Sequence, residues 1–190
     1  MTDLFDPLAV AVTVAEAFEA LGIAYTVGGS IASSVAGEPR STLDVDIVAA
    51  LEETHVAPLI AKLQGSFYVD EHALRRAVSE RRSTNLIHHD SQIKIDLFVA
   101  GGTALDFEQL ARRQAVDLGG RRLYVHPPED ILLQKLRWFR LGGEASDRQW
   151  RDIVGIVRVQ GPRLDTAYLR EHAPALGVAD LIERALGTGI

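Results

Sequence analysis

Three aspartates and one Gly-Gly-Ser turn are the residues with which this chain could do chemistry. Asp44 and Asp46 sit one residue apart in Leu43-Asp44-Val45-Asp46-Ile47-Val48, where apolar and acidic residues alternate. Strand side chains alternate between faces, so Asp44 and Asp46 are expected to point one way while Leu43, Val45 and Ile47 point into a core. Neighbouring carboxylates repel each other, and a fold that keeps such a pair does so with a cation between them. Upstream, Gly28-Gly29-Ser30 breaks an apolar run ending at Val27. Without side chains, Gly28 and Gly29 let a ligand approach the backbone, and Ser30 is expected to cap a short helix over 31–36 whose free N–H groups face a phosphate. Together the two stretches predict a magnesium site beside a phosphate-binding turn. Asp96 is the third carboxylate, in Ile93-Lys94-Ile95-Asp96-Leu97-Phe98-Val99, on a strand face shared with Lys94 and Phe98. Flanked by Ile95 and Leu97, it needs a partner or an exposed sheet edge.

At these residues the chain resembles the nucleotidyltransferases of the DNA polymerase β superfamily. Their signature is an apolar residue, Gly-Gly or Gly-Ser, a short spacer (here 31–43), and Asp-x-Asp between apolar residues, with a third carboxylate on a later strand. The likeness spans residues 23–99. It implies an α/β (α+β) fold with a mixed-sheet nucleotidyltransferase core flanked by helices. It also implies transfer of a nucleoside monophosphate from a nucleoside triphosphate to a hydroxyl, with release of pyrophosphate. In that reading Asp44, Asp46 and Asp96 are catalytic and bind two Mg²⁺ ions, and Gly28, Gly29 and Ser30 hold the β- and γ-phosphates. Arg40 and Thr42 stand in Arg-x-Thr-x-Asp-x-Asp, a spacing common in the superfamily. Both are counted as nucleotide-binding, although neutralising the acidic pair is an equal reading for Arg40.

A second resemblance lies downstream. Pro128-x-Asp130, Lys135, Arg140, Asp147 and Asp152 look like the distal part of AbiEii-type nucleotidyltransferases, where a helix lysine and acidic residues border the nucleotide. That match implies a triphosphate contact for Lys135, the alternative being an exposed charge on the polar stripe of its helix. The acceptors implied are RNA (tRNA for toxin nucleotidyltransferases), a protein hydroxyl or a small hydroxylated compound. A cognate antitoxin protein is the implied partner. Two further readings compete: a non-catalytic nucleotide- or partner-binding protein of the same fold, and a metal phosphohydrolase. The intact aspartate set counts against the first, and the lack of His-Asp pairs within the apolar strands counts against the second.

These residues need elements to position them. Asp6-Pro7 predicts a capped helix over 8–21 stopping at Gly22, then a strand over 23–27 leading into the glycine turn. The acidic strand follows over 43–49, and Thr54 is expected to cap a helix through 63. A short strand at 67–69 and a helix capped by Asp70 come next. Strands at 85–88 and 93–99 read as a hairpin whose adjacent His88 and His89 face opposite ways, so they form no two-histidine metal site and are expected to face solvent. After a helix over 106–113, Gly119-Gly120 turns between strands at 115–118 and 122–125. From Pro127 the pattern is helical, with apolar helices over 131–139 and from Ser146 to about 159, then two more, and Trp138 and Trp150 are expected in their core. Strands followed by helices predict a core over 1–126 and a helical C-terminal extension over 127–190 packed on it.

Bulk composition sets outer limits. A chain of 190 residues holds one compact domain or a small domain with an addition, and no apolar run is long enough for a membrane span. The acidic start and absence of cysteine predict a cytoplasmic protein without disulfides or thiolate metal sites. A net charge of −6 argues against non-specific coating of nucleic acid. The arginine pairs 75–76, 81–82, 112–113 and 121–122 leave room for a polyanionic substrate, although each alone reads as a solvated face.

Overall fold

The computed structural model describes residues 6–37, 44–117 and 120–188. In chain order the elements are α1 (Pro7–Ala20), β1 (Tyr25–Val27), α2 (Gly29–Ala36), β2 (Asp44–Ala49), α3 (Glu53–Leu63), β3 (Phe67–Val69), α4 (Glu71–Glu80), β4 (Ser83–His88) and β5 (Lys94–Val99). There follow α5 (Ala104–Arg112), β6 (Gln114–Asp117), β7 (Arg122–Val125), α6 (Pro128–Leu141), α7 (Asp147–Gln160), α8 (Thr166–His172) and α9 (Ala179–Thr188). Two compact units result: Met1–Ile31 with Ser41–Val125, and Ala32–Arg40 with His126–Ile190.

The first unit is built on a seven-stranded sheet of order β3-β4-β5-β2-β1-β7-β6. It is mixed: β2 pairs β5 and β1 pairs β7 in parallel, while the other neighbours are antiparallel. Helix α1 packs on β1, β2, β7 and α3, and α4 packs on α3, β4 and β5. The alternation seen in the sequence explains why. Val45, Ile47 and Ala49 of β2, Ile95 and Leu97 of β5, and Leu86 of β4 are all fully buried. Each large aliphatic side chain so placed is worth about 1.5–3 kcal/mol of burial, and a one-residue slip would exchange these side chains for carboxylates. The register of the two central strands is therefore held by their apolar faces.

Local signals start and stop the helices. The Asp6 carboxylate accepts from Leu8 N–H at 2.9 Å, and the Asp70 carboxylate from Ala73 N–H at 3.0 Å. Helix α3 starts one residue before Thr54, its first turn instead tied by Glu52 N–H donating to His55 Nδ1 at 3.1 Å. An aromatic group closes the sheet core, with Phe18 and Tyr124 rings 5.6 and 5.7 Å from that of Tyr25. Burial raises the Tyr25 pKa well above its ordinary value, and its hydroxyl donates to Glu19 at 3.1 Å.

The second unit gathers α6 to α9, with α6 packing on α7, α8 and α9, and α9 on α7 and α8. Leu132, Leu133 and Leu136 of α6, Ile153 and Ile156 of α7 and Leu169 of α8 are fully buried. Two acidic residues at the start of α6 tie α8 in place. Glu129 accepts from Asp165 N–H at 2.9 Å, and Asp130, fully buried, accepts from the Tyr168 hydroxyl at 2.7 Å. Trp138 departs from its expected core position: it is 54% exposed, while Phe139 turns inward against Trp150 with ring centroids 5.4 Å apart. No described helix is long and apolar enough to cross a membrane.

Candidate functional site

The candidate site is the open face of β2 and β5. The parallel register sets Asp44 opposite Lys94 and Asp46 opposite Asp96, and residues paired in this way share a face. The sequence-predicted carboxylates Asp44, Asp46 and Asp96 are therefore brought together on two adjacent central strands. Asp44 is exposed, and Asp46 and Asp96 are half-buried.

The glycine turn is shaped around Asp46. Gly28 N–H donates to the Asp46 carbonyl at 2.9 Å, extending the β1–β2 pairing by one step. Gly29 adopts a left-handed backbone with φ +53°, and a Cβ added there would lie 1.7 Å from Asp46 Oδ2. The space left by the missing side chain is thus filled by the chain's own carboxylate. This places the Asp46 charge at the first turn of α2, where the helix dipole favours an anion. Helix α2 begins at Gly29, so Ser30 lies inside its first turn and is not the cap that its position suggested.

Two residues that sequence reasoning did not assign complete the face. Lys94 Nζ lies 2.8 Å from Asp96 Oδ2. The hydrogen bond that Lys94 donates to Asp96, reinforced by the charges of Asp96, Asp44 and Asp46, raises the Lys94 pKa against the opposing effect of desolvation. Asn85, opposite Asp96 on β4, donates its amide N–H to Asp96 Oδ1 at 2.6 Å once the amide is turned nitrogen-inward. Lys94 carried a signal, since it stands two residues before Asp96 on one strand face. The role of Asn85 depends on the β4–β5 register, which no local pattern reveals.

The donor set suits a hard divalent cation, because every candidate ligand is a carboxylate oxygen. Asp44 and Asp46, two residues apart on one strand, fit such an ion. Among the described residues, however, no three Asp, Glu or His side chains converge as a metal site. Asp96 instead meets Lys94 and Asn85.

The remaining predicted residues are distributed as follows. Arg40 and Thr42 lie outside the described residues. Lys135 belongs to the helical unit, where its Nζ pairs with Asp152 Oδ2 at 2.9 Å. With side chains only 12% and 13% exposed, that pair replaces the exposed polar stripe considered from the sequence. His88 is half-buried, with Nδ1 2.9 Å from Ser91 Oγ and its ring edge-on to Phe67, so only His89 faces solvent as expected. Arg75 is committed to Glu53 and Glu71, and Arg113 lies over the Tyr124 ring, which leaves those two arginines to structural pairing.

No protein-family model matches the chain, and neither does any curated protein. Solved structures do. An antigenic nucleotidyltransferase-like protein from Paracoccidioides brasiliensis is similar at a TM-score of 0.59 and 18% identity, over 96% of this chain and 92% of that one. ANT(2")-Ia in complex with adenylyl-2"-tobramycin is similar at 0.54 and 10% identity, over 93% and 97% of the two chains. The lincosamide antibiotic adenylyltransferase LnuA, lincomycin-bound, is similar at 0.50 and 16% identity, over 77% and 93%. The mixed seven-stranded sheet with its flanking helices is a nucleotidyltransferase fold.

Proposed function

We propose that the chain is a metal-dependent nucleotidyltransferase that moves a nucleoside monophosphate from a nucleoside triphosphate to a hydroxyl acceptor and releases pyrophosphate. The observation that carries this reading is the acidic face itself. Asp44 and Asp46 lie on the central strand, in register with the Lys94 and Asp96 strand, and the glycine turn gives up its own volume to Asp46.

In this reading Asp44 and Asp46 hold Mg²⁺. A bound ion there would neutralise charge on the triphosphate and lower the pKa of the attacking hydroxyl. The chain's own residues do the rest. The Gly28-Gly29-Ser30 turn, packed against Asp46, borders the terminal phosphates at the N-terminal end of α2. Asp96 completes the acidic face at which the acceptor hydroxyl is deprotonated. Arg40 and Thr42 are proposed at the phosphates on their spacing alone. We assign Lys135 to fastening α6 onto α7 through Asp152, so the AbiEii-like kinship and the toxin–antitoxin setting rest on sequence pattern only. Two of the similar structures carry antibiotics or their adenylylated product, which makes small hydroxylated compounds the first acceptors to screen, ahead of tRNA and protein hydroxyls.

The test is calorimetry of each nucleoside triphosphate with the purified protein, with and without Mg²⁺, beside Asp46→Asn. The expected result is Mg²⁺-dependent binding of at least one triphosphate that the substitution abolishes without unfolding the protein. If no triphosphate binds to the folded chain, the non-catalytic reading takes its place.

A further inference from the structure

We propose that the open sheet face continues from the carboxylates into an acceptor platform on β4 and β3, with Tyr68 as its stacking residue, and that this platform takes hydroxylated compounds of two or more linked rings. The inference rests on the nucleotidyltransferase reading and adds the position and size of the acceptor to it. Strand register carries the argument. Across β3, β4, β5 and β2, Tyr68 pairs with Ile87, Ile87 with Lys94, and Lys94 with Asp44. The next row runs from Asn85 through Asp96 to Asp46. Residues paired in this way share a face, so Tyr68, Ile87 and Asn85 stand on the same side of the sheet as the three aspartates. Their neighbours along the strands point the other way, and Phe67 and Leu86 are fully buried there with Ile95 and Leu97. Tyr68 is instead 57% exposed, Asn85 is exposed and Ile87 is half-buried.

The direction of transfer selects this side of the acidic face. In nucleotidyl transfer the attacking and leaving oxygens lie roughly in line through the phosphorus. The leaving pyrophosphate belongs at the glycine turn, which follows β1 on one flank of β2. The acceptor hydroxyl then approaches from the other flank, where the sheet continues as β5, β4 and β3. Its oxygen bonds to the α-phosphorus as the bond to pyrophosphate breaks, and its proton passes to the Asp96 carboxylate. Adjacent strands lie about 4.8 Å apart, so Tyr68 on β3 stands about 10 Å across the sheet from Asp96 on β5. A single sugar ring with its hydroxyl at Asp96 falls short of Tyr68, whereas a second linked ring reaches it. The phenol ring offers that second ring a flat apolar face. Asn85 joins the two parts of the surface by donating its amide to Asp96 Oδ1 at 2.6 Å.

The experiment follows pyrophosphate release by the full chain from each nucleoside triphosphate with Mg²⁺. Tobramycin and lincomycin serve as the linked-ring acceptors, and methyl glucoside and glucosamine as the single rings. Turnover is expected with a linked-ring compound and not with the single rings. Tyr68→Ala should raise the KM for that acceptor by about three- to tenfold and leave the KM for the triphosphate unchanged. Tyr68→Phe, which keeps the ring, should stay near the parent value. Phe107→Ala removes an equally exposed aromatic, 58% exposed on α5, and should behave as the parent. Circular dichroism checks that each variant is folded, and sedimentation reads its oligomeric state. The proposal is overturned if Tyr68→Ala and Phe107→Ala give the same acceptor KM, or if the single rings are used as well as the linked ones. A dimer that Tyr68→Ala dissociates also overturns it, by giving the ring to a second copy of the chain. Triphosphate binding without turnover of either linked-ring compound overturns it too, and leaves the nucleotidyltransferase reading standing. If no triphosphate binds, that reading falls and this inference with it.

Discussion

Replacing Gly29 with alanine is the sharpest probe of how the glycine turn and the acidic strand depend on each other. Two separate costs are expected. The backbone at Gly29 has φ +53°, a left-handed conformation that costs an L-residue about 1–2 kcal/mol. The second cost is a collision, because the new Cβ would lie 1.7 Å from Asp46 Oδ2 and 2.6 Å from its Cγ. Recovering ordinary contact requires the carboxylate to retreat by roughly 1.5 Å, and displacement of a reacting group by about 1 Å typically costs on the order of 100-fold in rate. Gly22→Ala separates the two costs, since Gly22 has φ +68° with nothing within 4 Å of an added Cβ. Urea unfolding should show Gly22→Ala losing only the backbone cost and Gly29→Ala losing more. On an Asp46→Ala background the excess at position 29 should disappear, as for any pair of residues that touch. Mg²⁺-dependent triphosphate binding should survive Gly22→Ala and fail in Gly29→Ala. Equal stability losses at the two glycines, or full triphosphate binding by Gly29→Ala, would refute the packing of Asp46 into that space.

Three other perturbations follow from the helical unit. Burial pushes the His126 pKa down from 6.5 to about 4, so the unfolded chain binds this proton more readily than the native one. The stabilisation is fully present above about pH 6.5 and is lost as pH falls towards 4. It amounts to about 3 kcal/mol in all, and His126→Phe should flatten that part of the pH dependence in urea titrations. Lys135→Met should cost about 3 kcal/mol by removing the ammonium from Asp152 in a largely buried position, without changing triphosphate binding. Tyr168→Phe removes one donor to fully buried Asp130 and should lower stability by about 1.5–3 kcal/mol in the same assay.

What could be read from the chain beforehand was whatever is encoded by neighbouring residues. The alternation through 43–49 and 93–99 placed both strands and the shared face of Asp44 and Asp46, because strand periodicity is local. Asp6 and Asp70 were legible as caps for the same reason. Register was not legible. Only tertiary pairing sets Lys94 beside Asp44 and brings Asn85 to Asp96, so the two groups that occupy Asp96 passed without a role. The glycine turn is a local signal, whereas the packing of Asp46 against Gly29 depends on the pairing of β1 with β2. Trp138 was misplaced because a wide apolar stripe on α6 does not say which of its members reaches the edge, and Phe139 took the inner position. The acidic start of α6 resembled a nucleotide-binding feature, yet the buried Asp130 holds the α8 tyrosine.

The parallel pairing of β2 with β5 also bears on the order in which the protein can assemble. Antiparallel neighbours can close through a tight turn, whereas a parallel pair needs a crossover, and here α3, β3, α4 and β4 all lie between the two strands. Asp46 and Asp96 therefore meet only after that whole intervening segment has been synthesised. Pairings so distant in sequence form slowly, since the loop must be closed before any contact rewards it. A nascent chain that already displays the glycine turn and Asp44-Val45-Asp46 still lacks Lys94 and Asp96. The acidic face becomes complete late, when the sheet closes around it.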